Sequence, residues 1–231
     1  MELLPNIHLI EGVTSNAYLI VEPDGLTVID TGLPGSGDKI VRYLRRIGQE
    51  AGAVRHILLT HQHADHVGGA ARLAALSGAQ VIAHPLDAPA IEGAAPRELP
   101  HGVLRLVFQV AIVPRLATVA VAQQVRGGET LPVLASEGGL QVIEAPGHTL
   151  GQIIFYQPGR KLLFAGDAYN HQGGRIQPPA AIFNHDDAQA KRTLAELART
   201  LEVDASLPGH GGPIARGAGA TLAEAGKRLG G

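Results

Sequence analysis

The stretch Thr60-His61-Gln62-His63-Ala64-Asp65-His66, directly behind the apolar run Ile57-Leu58-Leu59, constrains the fold of this chain more than any other. A short apolar run of that kind reads as a buried strand, and a strand that ends in three imidazoles and a carboxylate must deliver them to a polar edge. The same arrangement recurs downstream. His148 follows the run from Leu140 to Gly147, Asp167 follows Leu162-Leu163-Phe164-Ala165-Gly166, and His210 follows Ala205-Ser206-Leu207-Pro208-Gly209. Neutral imidazole and carboxylate are the ligands that hold zinc and similar first-row metals. These groups suffice for two metal ions sharing one bridging carboxylate. A two-metal centre points to hydrolysis, because it can deprotonate water and polarise a carbonyl or phosphoryl oxygen at once.

The chain has 231 residues, enough for one large domain or two small ones. Nothing between the motifs resembles a flexible linker, and ligands from both halves must meet, so a single domain over residues 1–231 is expected. The formal net charge of −2, from 19 basic and 21 acidic residues, leaves no electrostatic footprint for nucleic acid. The chain has no cysteine, hence no disulfide framework and no thiolate ligand. Met1-Glu2-Leu3-Leu4-Pro5 lacks the basic start and long apolar core of a signal peptide, which makes a cytoplasmic location the default expectation.

Along the chain, Ile7 to Ile10, Ala17 to Val21 and Leu26 to Ile29 are short apolar runs separated by Gly12 and by the turn signal Pro23-Asp24-Gly25. Ser36 is placed to cap a helix in which Ile40, Val41, Leu44 and Ile47 recur at helical spacing. His56 to Thr60 reads as the strand that carries the metal motif, Val67-Gly68-Gly69 as the opening of an alanine-rich helix to about Leu76, and Val81 to Ala83 as a further strand. The second half repeats this grammar: strands near Leu140 to Glu144, Ile153 to Tyr156 and Leu162 to Phe164, a helix from Asp187 to Thr200, a strand from Asp204 to Leu207 and a terminal helix.

The order His-x-His-x-Asp-His, then a distant His, an Asp and a last His, resembles the metallo-β-lactamase superfamily of metal-dependent hydrolases. The resemblance runs from Asn16-Ala17-Tyr18-Leu19-Ile20 through Ile29-Asp30-Thr31-Gly32 to Leu207-Pro208-Gly209-His210-Gly211. An ordinary polar loop accounts for any one of these histidines, but not for all of them in family order. The implied fold is an α/β αββα sandwich, two sheets face to face with helices outside, whose strand-end loops meet along one edge. Residues 61 and 63, two apart on an extended segment, can face one side. The family pattern puts His61, His63 and His148 at a first metal ion and Asp65, His66 and His210 at a second, with Asp167 as the bridge. A hydroxide between the ions is the implied nucleophile, with Asp65 and Asp167 as the catalytic carboxylates. Zinc is the first choice for two divalent ions, with iron and manganese as alternatives.

Around these ligands, Asp30 reads equally as an orienting group for a ligand or as a turn cap. Gly147 and Gly209 precede ligands and suit tight turns. Asp186 or Asp187 suits the cap of the helix that follows. His8, His56, His84 and His101 lack ligand context. Tyr169, Asn170, His171 and His185, close to the bridge or on the next loop, are candidate substrate contacts.

Three departures narrow the substrate class. The chain has Asp167 and no cysteine, which argues against lactam hydrolysis as the main activity. Glyoxalase II resembles it in ligands and in the turn Gly147-His148-Thr149-Leu150-Gly151, yet only about twenty residues follow His210 here, too few for that enzyme's helical substrate domain. No Lys/Arg-rich insertion suggests the basic arm of transfer-RNA-processing relatives. The expectation is a hydrolase of an ester, thioester or lactone in a small-molecule acyl substrate. A phosphodiesterase or nuclease is the alternative, and a non-catalytic metal-binding protein a third reading.

Val103 to Val125 is the most apolar stretch. Arg105, Gln109, Arg115 and the central Pro114 argue against a membrane span. One or two short helices bent at Pro114 are expected. They would pack on the core, form a homodimer contact, or cover the site as an apolar pocket to which Phe108 contributes.

Overall fold

A computed structural model describes residues 1–229. The chain divides into two compact units, Met1–Val125 and Arg126 onward.

The first unit is one mixed seven-stranded sheet in sequential order. Strands β1 (Glu2–Leu4), β2 (Ile7–Ile10), β3 (Ala17–Glu22) and β4 (Gly25–Ile29) run antiparallel through tight turns. Strands β5 (Val54–Leu58), β6 (Gln80–Ala83) and β7 (Gln123–Gln124) continue parallel to β4, which requires crossovers. Helix α1 (Ser36–Arg46) makes the first crossover; α2 (Ala64–Val67) and α3 (Ala70–Ser77) make the second. Alternation in the strands aims Leu19, Val28, Ile57 and Val81 at Ile40, Leu44 and Leu73 of the helices, and these form one buried core. On the other side of the pleat Tyr18, Ile20, Ile29, Leu58 and Ile82 are buried as well, so this sheet is apolar on both faces.

The second unit holds a five-stranded sheet in the order β14-β11-β10-β9-β8, from β8 (Thr130–Leu131), β9 (Leu140–Glu144), β10 (Ile153–Gln157), β11 (Leu162–Gly166) and β14 (Ala205–Pro208). Its hairpin β12 (Asn170–Gln172) and β13 (Arg175–Gln177) turns on Gly173-Gly174. Helices α6 (Asp187–Thr200) and α7 (Ala218–Leu229) lay Leu194, Leu197, Leu222 and Ala225 against Ile154, Tyr156 and Leu163. Each unit therefore contributes a sheet layer and a helix layer.

Several local expectations need correction. Ser36 is the first residue of α1, not its cap; Gly35, with φ 88°, occupies that position, and no side chain caps the helix. The helix expected from Val67 to Leu76 is broken at Gly68-Gly69. There a Cβ on Gly68 would stand 2.3 Å from the Pro34 nitrogen, and one on Gly69 2.5 Å from the Thr31 oxygen. The break lets the backbone after β4 lie against the metal-motif segment. Beside His210, the glycine with positive φ is Gly211 rather than Gly209. The apolar stretch forms one helical run: α5 (Val103–Val107), a π turn over Phe108–Ile112 and a 3₁₀ turn over Val113–Arg115 that holds Pro114. Residues 116–122 are not helical, and their Leu116, Val119 and Val121 pack on the first unit's core. The helical run does not pack that way: Val103, Leu106, Val107 and Val110, at i, i+3, i+4 and i+7, are 84%, 65%, 50% and 67% exposed. Among the described residues no helix is long and apolar enough to cross a membrane. The sequence reading also lacked β1, α4 (Ala88–Glu92) and the β12–β13 hairpin, the last despite its Gly-Gly turn signal.

Candidate metal centre

In the first unit four candidate ligands lie between β5 and α3, and the end of β4 orders them. Asp30, just past β4, adopts φ 56°, a left-handed conformation that costs a non-glycine residue free energy. It turns the carboxylate into a buried site. Oδ1 accepts the Thr60 N–H at 2.9 Å, and Oδ2 accepts the Thr60 hydroxyl at 2.7 Å and His66 Nδ1 at 2.8 Å. Because the Thr60 hydroxyl donates to Asp30, it accepts from His61 Nδ1, 3.0 Å away. Thr31 supports the same loop from its N–H and its hydroxyl, both donating to the His66 carbonyl at 2.7 Å. The His61 ring lies 4.1 Å from that of His66 and 4.8 Å from that of His63, centroid to centroid. Asp65 lies in the first turn of α2, and its backbone carbonyl accepts the Ser15 hydroxyl.

In the second unit the turn before His148 depends on Gly147, whose φ is 127° and where a Cβ would stand 2.3 Å from the Ala190 nitrogen. His148 Nδ1 lies 2.9 Å from Asn184 Oδ1. The Asn184 amide nitrogen donates to Asp187 and to the Pro179 carbonyl, which fixes its oxygen towards the imidazole. Asp167 follows β11 and is nearly buried; its Oδ2 lies 3.4 Å from His148 Nε2 and 3.3 Å from His210 Nε2.

These contacts test whether the residues suit a metal. His61, His66 and His148 each give the Nδ1 proton to a hydroxyl, carboxylate or amide oxygen, which leaves the lone pair on Nε2, the tautomer of a ligating histidine with an orienting partner. In the second unit that lone pair faces a carboxylate oxygen, an arrangement that needs a cation or a second proton between them. Bonds of about 2.0–2.1 Å in tetrahedral geometry separate two donor atoms by roughly 3.3–3.4 Å, and the spacings around Asp167 match this. The donor chemistry fits zinc or a similar divalent ion.

The expected substrate contacts fare unequally. Tyr169 is corrected: it is fully buried in the second unit's core, its hydroxyl bonds Ser206 Oγ at 2.8 Å, and burial raises its pKa. It offers no surface to a ligand. Asn170 and His171 stand half-buried on β12, and the His171 N–H donates to the His210 carbonyl at 3.2 Å. His185 is exposed, and its N–H donates to the His148 carbonyl at 3.0 Å. Phe108 is half-buried in the π turn. Asp186 caps α6 by accepting the Gln189 N–H at 2.9 Å. Sequence reasoning missed Thr60, Thr31 and Asn184; Thr60 alone carried a signal, as the residue joining the strand to the motif.

Residues 10–210 match the model of the metallo-beta-lactamase superfamily. The chain is 33% identical over 162 residues to the uncharacterized protein YobT of Bacillus subtilis, covering 69% of this chain and 64% of YobT. It is 34% identical over 146 residues to the hydroxyacylglutathione hydrolase of Rhodobacter capsulatus, covering 63% of this chain and 43% of that enzyme. It thus spans less than two thirds of the length of either relative. Among solved structures, a metallo-beta-lactamase family protein from Thermus thermophilus superposes with a TM-score of 0.76 at 24% identity, covering 98% of this chain and 80% of that one. The chain belongs to the metallo-beta-lactamase superfamily of metal-dependent hydrolases and has its α/β fold.

Proposed function

We propose that this chain is a dinuclear metal-dependent hydrolase of an acyl bond in a small molecule, an ester, thioester or lactone. The observation that carries the reading is the complete donor set. In this reading His61, His63 and His148 would hold one ion, Asp65, His66 and His210 the other, and Asp167 would bridge them, a donor set of imidazoles and carboxylates that suits two divalent ions. In this reading the two units work as one domain, and the setting is cytoplasmic. Zinc is the first choice on donor chemistry. Two such ions, when bound, supply an activated water and polarise the scissile carbonyl.

The chain's own residues do the rest. Asp30, Thr60 and Asn184 hold three imidazoles in the ligating tautomer. Asp65 passes a proton to the leaving group. Asn170, His171 and His185 contact the substrate around the ligands His148 and His210; the His185 N–H bonds the His148 carbonyl and the His171 N–H the His210 carbonyl, with Asn170 next to His171 on β12. The likeness to a hydroxyacylglutathione hydrolase supports an acyl over a phosphoryl substrate. The exposed aliphatic stripe of residues 103–110 supports either an apolar contact to the acyl group, with Phe108 beside it, or a homodimer. Turnover by zinc-loaded protein of a panel of lactones, thioesters, esters and phosphodiesters tests the reading. Hydrolysis of at least one acyl class is expected; efficient cleavage of phosphodiesters alone would refute it. Phe108→Ala should change acyl chain-length preference more than metal content, and an unchanged preference removes Phe108 from the substrate site.

A further inference from the structure

Gln62 stands between His61 and His63, and each of its polar groups is held. Its N–H donates to Asp87 Oδ2 at 2.9 Å, and its carbonyl accepts from Arg97 Nη1 at 3.0 Å. Its side-chain nitrogen reaches Asp87 Oδ1 at 3.3 Å and Glu98 Oε1 at 3.4 Å, and its side-chain oxygen accepts the Glu98 N–H at 3.0 Å. The Gln62 N–H belongs to the peptide plane joining residues 61 and 62, and its carbonyl to the plane joining 62 and 63. Two charged side chains thus fix two consecutive peptide planes, leaving little freedom in the backbone that separates the imidazoles.

Asp87 has an alternative it does not take. It sits at the N-cap of α4, where an aspartate ordinarily accepts an N–H of its own helix, yet it makes no cap bond. It is fully buried with both oxygens on Gln62. Arg97 is drawn in far enough that burial lowers its pKa, and its other guanidinium nitrogen bonds the Ile91 carbonyl at 3.3 Å. Burying such charges is costly unless hydrogen bonds compensate, and here those bonds converge on the residue between two ligands.

We propose that Asp87 and Arg97 are positioning residues for the metal loop, gripping the Gln62 backbone from both sides and so setting the angle between the His61 and His63 rings, whose planes stand at 82°. The function assigned to this grip rests on the metal reading above; its geometry does not. Groups that orient ligands from behind are worth about 10- to 100-fold in metal affinity.

The test compares wild type with Asp87→Ala, Asp87→Asn, Arg97→Ala and Arg97→Lys, and with Leu73→Ala, a cavity in the core of the same unit. Three quantities are read: zinc affinity by competition with a chromophoric chelator, the visible spectrum of the Co²⁺ form, and amide exchange at Gln62 in metal-free protein. Asp87→Ala and Arg97→Ala should each weaken zinc binding by about 10- to 100-fold, alter the Co²⁺ spectrum and speed Gln62 exchange. Arg97→Lys, which keeps a donor for the carbonyl, should recover most of the affinity. Asp87→Asn, which keeps an acceptor for the N–H, serves if the alanine variant fails to fold. Leu73→Ala should lower the melting temperature and leave zinc affinity intact. Wild-type zinc affinity in Asp87→Ala and Arg97→Ala, or an equal loss in Leu73→Ala, would overturn the proposal. A wild type that binds no zinc would refute the metal reading instead, and Gln62 exchange then decides the grip: fast exchange in the wild type, or equal exchange in all variants, removes it.

Discussion

Asp30 accepts His66 Nδ1 at 2.8 Å from a backbone held at φ 56°, so a strained residue outside the candidate ligand set orients a residue within it. The same carboxylate takes the Thr60 N–H and hydroxyl, and through that hydroxyl orients His61. Two imidazoles thus depend on one aspartate. Asp30→Asn keeps the size and tolerates positive φ, but its amide cannot accept from both Thr60 and His66 on the Oδ2 side. Zinc affinity should fall by about 10- to 100-fold, measured by chelator competition. Asp30→Gly, which relieves the backbone but removes the carboxylate, should lose zinc affinity at least as far, which separates the carboxylate's role from the backbone strain.

Asn184 has the corresponding role for His148. Asn184→Ala removes the Nδ1 acceptor and frees the imidazole to adopt the other tautomer. Metal affinity should drop by about tenfold or more. The ¹⁵N shifts of the His148 ring in metal-free protein should move towards a mixed-tautomer pattern, a change that mere loosening of the fold would not produce.

Much of this architecture was legible in the sequence. β2, β9 and α6 have the bounds that their apolar spacing implies, because each has one clear period and a turn or cap at its end. All seven candidate ligands are visible as histidines and aspartates in the segments that follow apolar strands. What escaped was set by tertiary contact. Asn184 lies far from His148 in sequence, and an asparagine before a helix looks like a turn residue. Asp30 could be read as a turn cap because the left-handed backbone that aims it at His66 has no sequence signature outside glycine. The break at Gly68-Gly69 comes from the close approach of residues 31–34, which no local rule anticipates. Residues 116–122 leave the helical course after Pro114, where Leu116, Val119 and Val121 pack on the first unit's core.

Tyr169→Phe separates a core residue from a substrate contact. The substitution removes one buried hydrogen bond to Ser206 and should cost about 1 kcal/mol of stability, read from denaturant midpoints. Turnover and KM should stay at wild-type values; a large rise in KM would return Tyr169 to the site.

Acid should weaken the metal-free fold through His8 and His56. Burial lowers both pKa values below the ordinary 6.5. The unfolded chain therefore binds protons at these groups at a higher pH than the folded chain does. Their contribution is fully present above about pH 6.5 and is lost as pH falls below it towards the folded-state values. Denaturation midpoints should drop between neutral pH and the acid side of that window, and the drop should shrink in a His8→Asn/His56→Asn variant. An unchanged drop would assign the acid sensitivity to other groups.

The metal content of Asp167→Ala tests the central claim most directly. Wild-type protein prepared without chelator should carry about two divalent ions per chain, the number a shared two-ion site requires, by elemental analysis. Loss of the bridging carboxylate should lower occupancy at both positions and reduce hydrolysis by orders of magnitude. A fully active Asp167→Ala protein, or a wild type that is active with a single ion, would contradict the dinuclear account.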